Sequence, residues 1–237
     1  MLAPADFFDL SDQFVRALFG DCTYVWEAVD KIGWHVARLT RERQKVDGDV
    51  SPGAFVSDRA IYIGEGARIE PGAYVLGPAY IGAGCVVRHG ALVRENVIMF
   101  PGSILGHASE AKNSLFLPRA QAPHFNYVGD SILGHRVNLG AGTKLSNLTL
   151  VSEKNLQTGN RPTLEIQIED LIYDTGLAKL GAILGDDAQT GCNVVLNPGC
   201  LVGQRSLVYA NVSLRKGYYG ADTLIKLRQT IALSPRQ

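Results

Sequence analysis

The chain has 237 residues, with 23 Lys plus Arg against 23 Asp plus Glu, so its formal net charge is +0; that balance argues against a general nucleic-acid binder, which needs a basic excess to neutralise phosphates. At 46% hydrophobic residues it can fill a core and is not intrinsically disordered, and no apolar run approaches the ~18 residues of a membrane helix. High Gly content, 26 residues, and only 19% charged residues suggest a β-rich chain with many tight corners.

The start, Met1-Leu-Ala-Pro-Ala-Asp, lacks the basic stretch and apolar segment of a secretory signal, so a cytoplasmic location is expected. Residues 1–45 read as a helical module. Asp6 to Leu18 and Thr23 to Glu42 predict two helices, with Gly20 as the break. In the second, Val25, Val29, Ile32, Val36 and Leu39 recur at helical steps. The module holds no catalytic-looking cluster.

From Ile63 the sequence runs in sixes: apolar residues stand at Ile63, Ile69, Val75, Ile81, Val87, Val93, Met99, Leu105, Ala111 and Leu117. Small residues usually stand four places later, as at Ala67, Ala73, Ala79, Cys85, Ala91, Ser103 and Ser109. A period of six is neither that of a helix nor that of a simple strand. It fits a short strand plus a corner, repeated around a three-sided coil, the signature of a parallel β-helix. Residue i should then sit over i+18, giving columns Ile63, Ile81, Met99, Leu117 and Ile69, Val87, Leu105. Sixes continue at Leu133, Leu139 and Leu145 and again from Leu184 to Val208. The expected fold is all-β, a coil over 46–216 with an insertion at 148–180 and a tail at 217–237. The helical module at 1–45 is expected to cap the first coil or to help assembly, because an open coil end exposes strand edges. Within the insertion, Thr163-Leu-Glu-Ile-Gln-Ile-Glu-Asp-Leu-Ile-Tyr alternates like a strand or hairpin. In the tail, Thr223 to Leu233 reads as a strand or short helix. The four cysteines, Cys22, Cys85, Cys192 and Cys200, have no C-x-x-C spacing, which leaves them as small buried side chains rather than zinc ligands or a redox pair.

Two features carry chemistry. The sixes break at Pro123–Tyr127 and Val128–Ile132, two five-residue steps, and His124 lies in that break. Arg94 and Lys112 each follow an inward residue and are 18 apart, so they should point outward on adjacent coils. Two stacked cations suit a phosphate or carboxylate; the alternative is a solvated face on which Glu95 and Glu110 compensate them.

Glu110-Ala-Lys-Asn-Ser, Ala122-Pro-His-Phe-Asn-Tyr-Val-Gly-Asp-Ser and Val137-Asn-Leu-Gly-Ala-Gly-Thr together resemble one known region, as do Thr175-Gly-Leu-Ala-Lys-Leu-Gly-Ala-Ile-Leu-Gly-Asp and Asn197-Pro-Gly. It is the acyltransferase domain of the bifunctional glucosamine-1-phosphate N-acetyltransferase / N-acetylglucosamine-1-phosphate uridylyltransferase and related sugar-nucleotidyltransferase-like proteins. The resemblance spans about 46–220. It implies a left-handed β-helix, a homotrimer with active sites in clefts between subunits, acetyl-CoA as donor and a hexosamine 1-phosphate as acceptor, with no catalytic metal. By the same match His124 is the general base, and Arg94 and Lys112 bind the sugar phosphate. Tyr127, Asn138 and Asn147 line the sugar site. Ala141 offers a backbone N–H near the thioester carbonyl, and Cys192 and Ala210 fall where the family contacts coenzyme A. The family's nucleotidyltransferase half has no counterpart in these residues, so uridylyl transfer is not expected of them. Leu148 stands where the family usually has an aromatic residue.

Two other readings compete. A zinc lyase of the γ-carbonic-anhydrase kind needs three histidines on one metal; His89 and His124 are 35 apart, but Gly129 and Asp130 occupy the place of the third, and His107 and His135 do not restore the spacing. A non-catalytic assembly or regulatory protein would keep the coil and a vestigial sugar-phosphate site.

Overall fold

A computed structural model describes residues 2–42, 45–57, 59–150 and 153–235. The ranges 1–45, 148–180 and 217–237 each contain a few residues outside that set. The chain winds into a left-handed parallel β-helix whose three sheets are its three faces. The first face runs from Asp49–Val50 to Leu224–Ile225, the second from Phe55–Val56 to Ser213–Leu214, and the third from Ile61–Ile63 to Gly217–Tyr219. The coil therefore continues through the first part of the stretch expected as a tail.

The inward residue of each hexad is fully buried, as at Ile63, Ile69, Val75, Ile81, Val87 and Val93. The residue four places on is buried too: Ala67, Ala73, Ala79 and Cys85 are at 0% exposure. Cys200 fills the same kind of place, whereas Cys22 is half-buried and Cys192 is exposed at a corner. Burial pushes the Cys85 thiol up to about 12 and the Cys200 thiol up as well.

The expected columns hold at Ile69, Val87 and Leu105, and at Ile63, Ile81 and Met99. The next member of the second column is Phe116, not Leu117. Ala111 stacks on Val93 and under Val128, so the short step falls between Ala111 and Phe116. A second short step carries Val128 to Leu133, where the five-residue reading was right. The segment with Pro123 and His124 keeps a full six-residue side, from Ala122 to Val128. The physical reason is an ambiguity in Phe116-Leu117, where both residues are apolar. Phe116 faces the interior, and Leu117 packs at the corner with the outer cluster.

The N-terminal module forms three helices, α1 (Pro4–Phe7), α2 (Gln13–Ala17) and α3 (Glu27–Glu42). The expected single helix over 6–18 is divided by Asp12, whose carboxylate caps α2 by accepting the Phe14 and Val15 amides. The second helix starts later than expected, since the Val25 amide is committed to the Leu2 carbonyl. The module does not sit over the end of the coil. It lies along the third face, with α3 against successive strands from Ile61–Ile63 to Ser114–Phe116. The cause is the outward row of that face: Ile98, Leu115, Ile132, Ile183 and Leu201 are apolar and would otherwise face water, and Val25, Trp26, Val29, Ile32 and Val36 cover them.

The insertion does form a hairpin, Glu165–Ile168 with Leu171–Asp174. It folds back to the same face, where Tyr173 meets the stacked Tyr24 and Trp26 rings edge-on at 5.6 and 6.0 Å. The coil resumes in register beyond it, Leu133 stacking on Leu184 and Leu145 on Leu196.

Candidate functional site

The predicted residues fall into two rows bordering the second face, with one outlier. The first row is the corner between the first and second faces. His124, Ala141, Cys192 and Ala210 occupy equivalent places on successive coils. Amides of Gly142, Asn193 and Asn211 donate to the carbonyls of His124, Ala141 and Cys192 at 3.0, 2.8 and 2.9 Å. The row extends the other way through His107, which pairs with His124, and His89, whose ring stacks on His107 at 4.1 Å.

His124 is exposed, and among the described residues its ring has no hydrogen-bond partner. Its backbone is firmly held: the amide donates to Asn126 Oδ1 at 3.0 Å, and Asn126, 2% exposed, donates on to the Gly140 carbonyl at 2.9 Å. Asn126 thus ties the His124 corner to the Ala141 corner. The Ala141 N–H, in that same turn, also has no partner among the described residues. An accessible imidazole and a free amide on neighbouring coils can accept a proton and stabilise an oxyanion, respectively.

The second row lies at the other edge of the same face, where the chain turns toward the third. It holds Arg94, Lys112 and Asn147, and Tyr127, two strand positions back in register with Glu110, reaches toward it. Arg94 and Lys112 are adjacent across parallel strands, as their spacing requires. They are not free of acids. Arg94 Nη1 lies 3.0 Å from Glu110 and its Nε 3.7 Å from Glu95, and Lys112 Nζ lies 3.5 Å from Glu95. The Glu110 hydrogen bond raises the Arg94 pKa further. Burial pushes the Glu95 carboxyl up, but its own backbone amide, Arg94 and Lys112 outweigh this and hold it below the usual carboxylate range.

Tyr127 folds over Gly129 toward Asn147: a side-chain carbon on Gly129 would stand 2.6 Å from Tyr127 Oη and 2.8 Å from Asn147 Nδ2. The backbone must be glycine there for the phenol and the carboxamide to meet. Burial raises the Tyr127 phenol above its ordinary pKa. Asp130, which sequence reasoning left unassigned, accepts hydrogen bonds from both Asn113 and Asn147. A usable signal existed, since Asn113, Asp130 and Asn147 are spaced by seventeen, the length of the shortened coils.

Asn138 does not join Tyr127 and Asn147 within one chain. It pairs with Gln121 and Gln189 on the first face, on the far side of the His124 corner. Among the described residues no group of three or more His, Cys, Asp or Glu side chains could hold a metal ion. The histidines at 89, 107 and 124 are stacked along one edge rather than converging on a point. No helix among the described residues is long and apolar enough to cross a membrane.

Comparison with known proteins matches residues 60–95 to the family "Bacterial transferase hexapeptide (six repeats)". The chain is 33% identical over 223 residues to the bifunctional protein GlmU of Methanococcus aeolicus, covering 94% of this chain and 51% of that protein. It is 31% identical over 184 residues to a bifunctional sugar-1-phosphate nucleotidylyltransferase/acetyltransferase of Sulfurisphaera tokodaii, covering 78% and 43%. The chain thus spans about half the length of the curated relatives it matches. Among solved structures, a UDP-N-acetylglucosamine acyltransferase from Campylobacter jejuni pairs with 73% of this chain and 69% of its own, at 13% identity and a TM-score of 0.37.

Proposed function

We propose that this chain is an acyltransferase of the hexapeptide-repeat kind, transferring acetyl from acetyl-CoA to the amine of an amino-sugar phosphate such as glucosamine 1-phosphate. The observation that carries the reading is the pairing, on adjacent coils of one corner, of the unengaged His124 imidazole with the unengaged Ala141 N–H, beside a face whose far edge carries Arg94 and Lys112. The relative from Sulfurisphaera tokodaii, an acetyltransferase joined to a sugar-1-phosphate nucleotidylyltransferase, supports the same substrate class.

In this reading Arg94 and Lys112 bind the acceptor's phosphate, exchanging part of their contact with Glu95 and Glu110 for it. Tyr127, Asn138 and Asn147 hold the sugar. Cys192 and Ala210 continue the His124 corner as a strip along which coenzyme A lies. His124 takes a proton from the attacking amine, the amide carbon–nitrogen bond forms, and the Ala141 N–H receives the negative charge that develops on the thioester oxygen. Collapse breaks the carbon–sulfur bond, and the departing thiolate takes up the proton from His124. The base contributes about 10²–10⁴-fold; holding both substrates in one cleft supplies proximity. No covalent enzyme intermediate is needed.

The cleft is completed by a second copy. The helices cover the third face, so copies meet through the first and second, which brings Asn138 of one chain toward the second face of another in a homotrimer. The test is release of free thiol from acetyl-CoA in the presence of glucosamine 1-phosphate, run beside other amino-sugar phosphates and acyl-CoAs. Release by the parent protein and its loss in His124→Ala, with the trimer intact by solution scattering, is the expected result. Binding of the sugar phosphate without thiol release from any donor would favour a non-catalytic sugar-phosphate protein instead.

A further inference from the structure

Asp130 is only 6% exposed, and no Lys, Arg or His among the described residues lies within ion-pair distance of it. An ionised carboxylate is costly to bury unless its oxygens are well satisfied. Here they are satisfied by two carboxamides, Asn113 Nδ2 at 2.9 Å on Oδ1 and Asn147 Nδ2 on Oδ2. Its backbone is fixed as well: the amide donates to the Lys112 carbonyl at 3.0 Å and the carbonyl accepts from Gly181 at 2.8 Å. One residue therefore ties three successive coils at the edge where Lys112 and Asn147 stand and toward which Tyr127 reaches.

A carboxylate only accepts, whereas a carboxamide has one accepting and one donating end. Facing Asp130, the Asn147 carboxamide must present its NH2, which decides an orientation that would otherwise be free to reverse. Asn147 Nδ2 and the Tyr127 hydroxyl also converge over Gly129, where an added side-chain carbon would stand 2.8 and 2.6 Å from them. With its nitrogen directed inward, Asn147 donates one proton to Asp130 and has the other to offer to the phenol oxygen. A phenol that accepts there has its own proton to give away, and Tyr127 is partly exposed on the second face.

We propose that Asp130 is a positioning residue of the acceptor site: through Asn147 it sets the Tyr127 hydroxyl as a donor aimed at an oxygen of the sugar phosphate. This rests on the reading of Tyr127 and Asn147 as acceptor contacts. Asp130→Asn keeps the size but offers a single accepting oxygen to two donating carboxamides, so the orientation of Asn147 is no longer fixed and the phenol loses its direction.

The experiment is steady-state thiol release by the full chain, varying glucosamine 1-phosphate and acetyl-CoA separately. Asp130→Asn should raise the acceptor KM about ten- to a hundredfold and leave the acetyl-CoA KM within about twofold. Tyr127→Phe should do the same, and the double variant should be no worse than the more damaged single one. Additive losses, or equal rises in both KM values, would overturn the proposal. Should Asp130→Asn fail to fold, the Tyr127→Phe and Asn147→Ala pair carries the same cycle. Side-chain amide NMR reads the chain of hydrogen bonds without turnover. The wild type should show a slowly exchanging carboxamide pair that vanishes in Asn147→Asp. Its absence would overturn the proposal even if glucosamine 1-phosphate were neither bound nor acetylated, the result that would instead sink the functional reading.

Discussion

The second and third faces of the coil are built on the same kind of inward apolar column and differ in what they turn outward. The third presents Ile98, Leu115, Ile132, Ile183 and Leu201, all buried under the helices and the hairpin. The second presents Leu92, Glu110, Tyr127 and Lys144 at the corresponding register. Inward positions decide that the chain coils at all; outward positions decide which face is packed away and which is left for ligands. A substitution on the third face should therefore change stability with little effect on chemistry, and one bordering the second face should do the reverse.

The largest expected effect is on the chemical side. His124→Ala should cut the turnover number by about 10²–10⁴-fold with an unchanged melting temperature, measured by thiol release and calorimetry. A comparable loss of stability would break the contrast. On the other side, Trp26→Ala deletes a side chain only 1% exposed, between Tyr24, Tyr173 and the third face. It should cost about 3–5 kcal/mol in urea unfolding while leaving kcat at 25 °C unaltered. Arg94→Ala and Lys112→Ala are intermediate: each should raise the acceptor KM about tenfold and spare that for acetyl-CoA.

Thiol labelling sharpens the contrast further. Cys192, exposed on the His124 corner, should react first in the native protein and be protected by acetyl-CoA. Burial raises the Cys22 thiol, which should react more slowly, and Cys85 and Cys200 should react only on unfolding. Labelling of Cys192 that ignores acetyl-CoA would remove it from the donor site.

The smallest effect is on acid stability, and its sign differs between the two regions. Asp186 sits under the N-terminal segment, accepting from the Asp9 and His135 amides at 2.7 and 2.8 Å, and burial raises its pKa above 3.8. The folded state thus holds this proton more tightly than the unfolded one, so Asp186 adds stability as pH falls through its raised value. Glu95 is held low, so its contribution is present above the ordinary value of 4.5 and is lost as pH falls through the folded one. Urea midpoints between pH 6 and 3 should fall more steeply for Asp186→Asn than for wild type, and less steeply for Glu95→Gln.

The coil was legible because burial of one residue in six is a strong, repeated constraint, and the hairpin because its alternation is equally local. The Arg94/Lys112 alignment came from the same period. What escaped was set by choices between near-equal residues or by distant partners. Phe116 and Leu117 are both apolar, so only stacking on Met99 decides which faces in. Where α3 lies depends on an outward row gathered from five coils, which no single hexad displays. Asp130 and Asn126 act through hydrogen bonds to neighbouring coils, and their role becomes visible only once the shortened coils bring those partners alongside.

The register that Leu133 and Leu145 share with Leu184 and Leu196 shows that the coil above and the coil below meet as though nothing had been threaded between them. The insertion is in effect a cassette mounted on a continuous shaft. Its length can change without rewinding a single turn so long as the hairpin still covers the third face, so a lineage could alter whatever abuts Asn147 while inheriting the corner that carries His124 untouched.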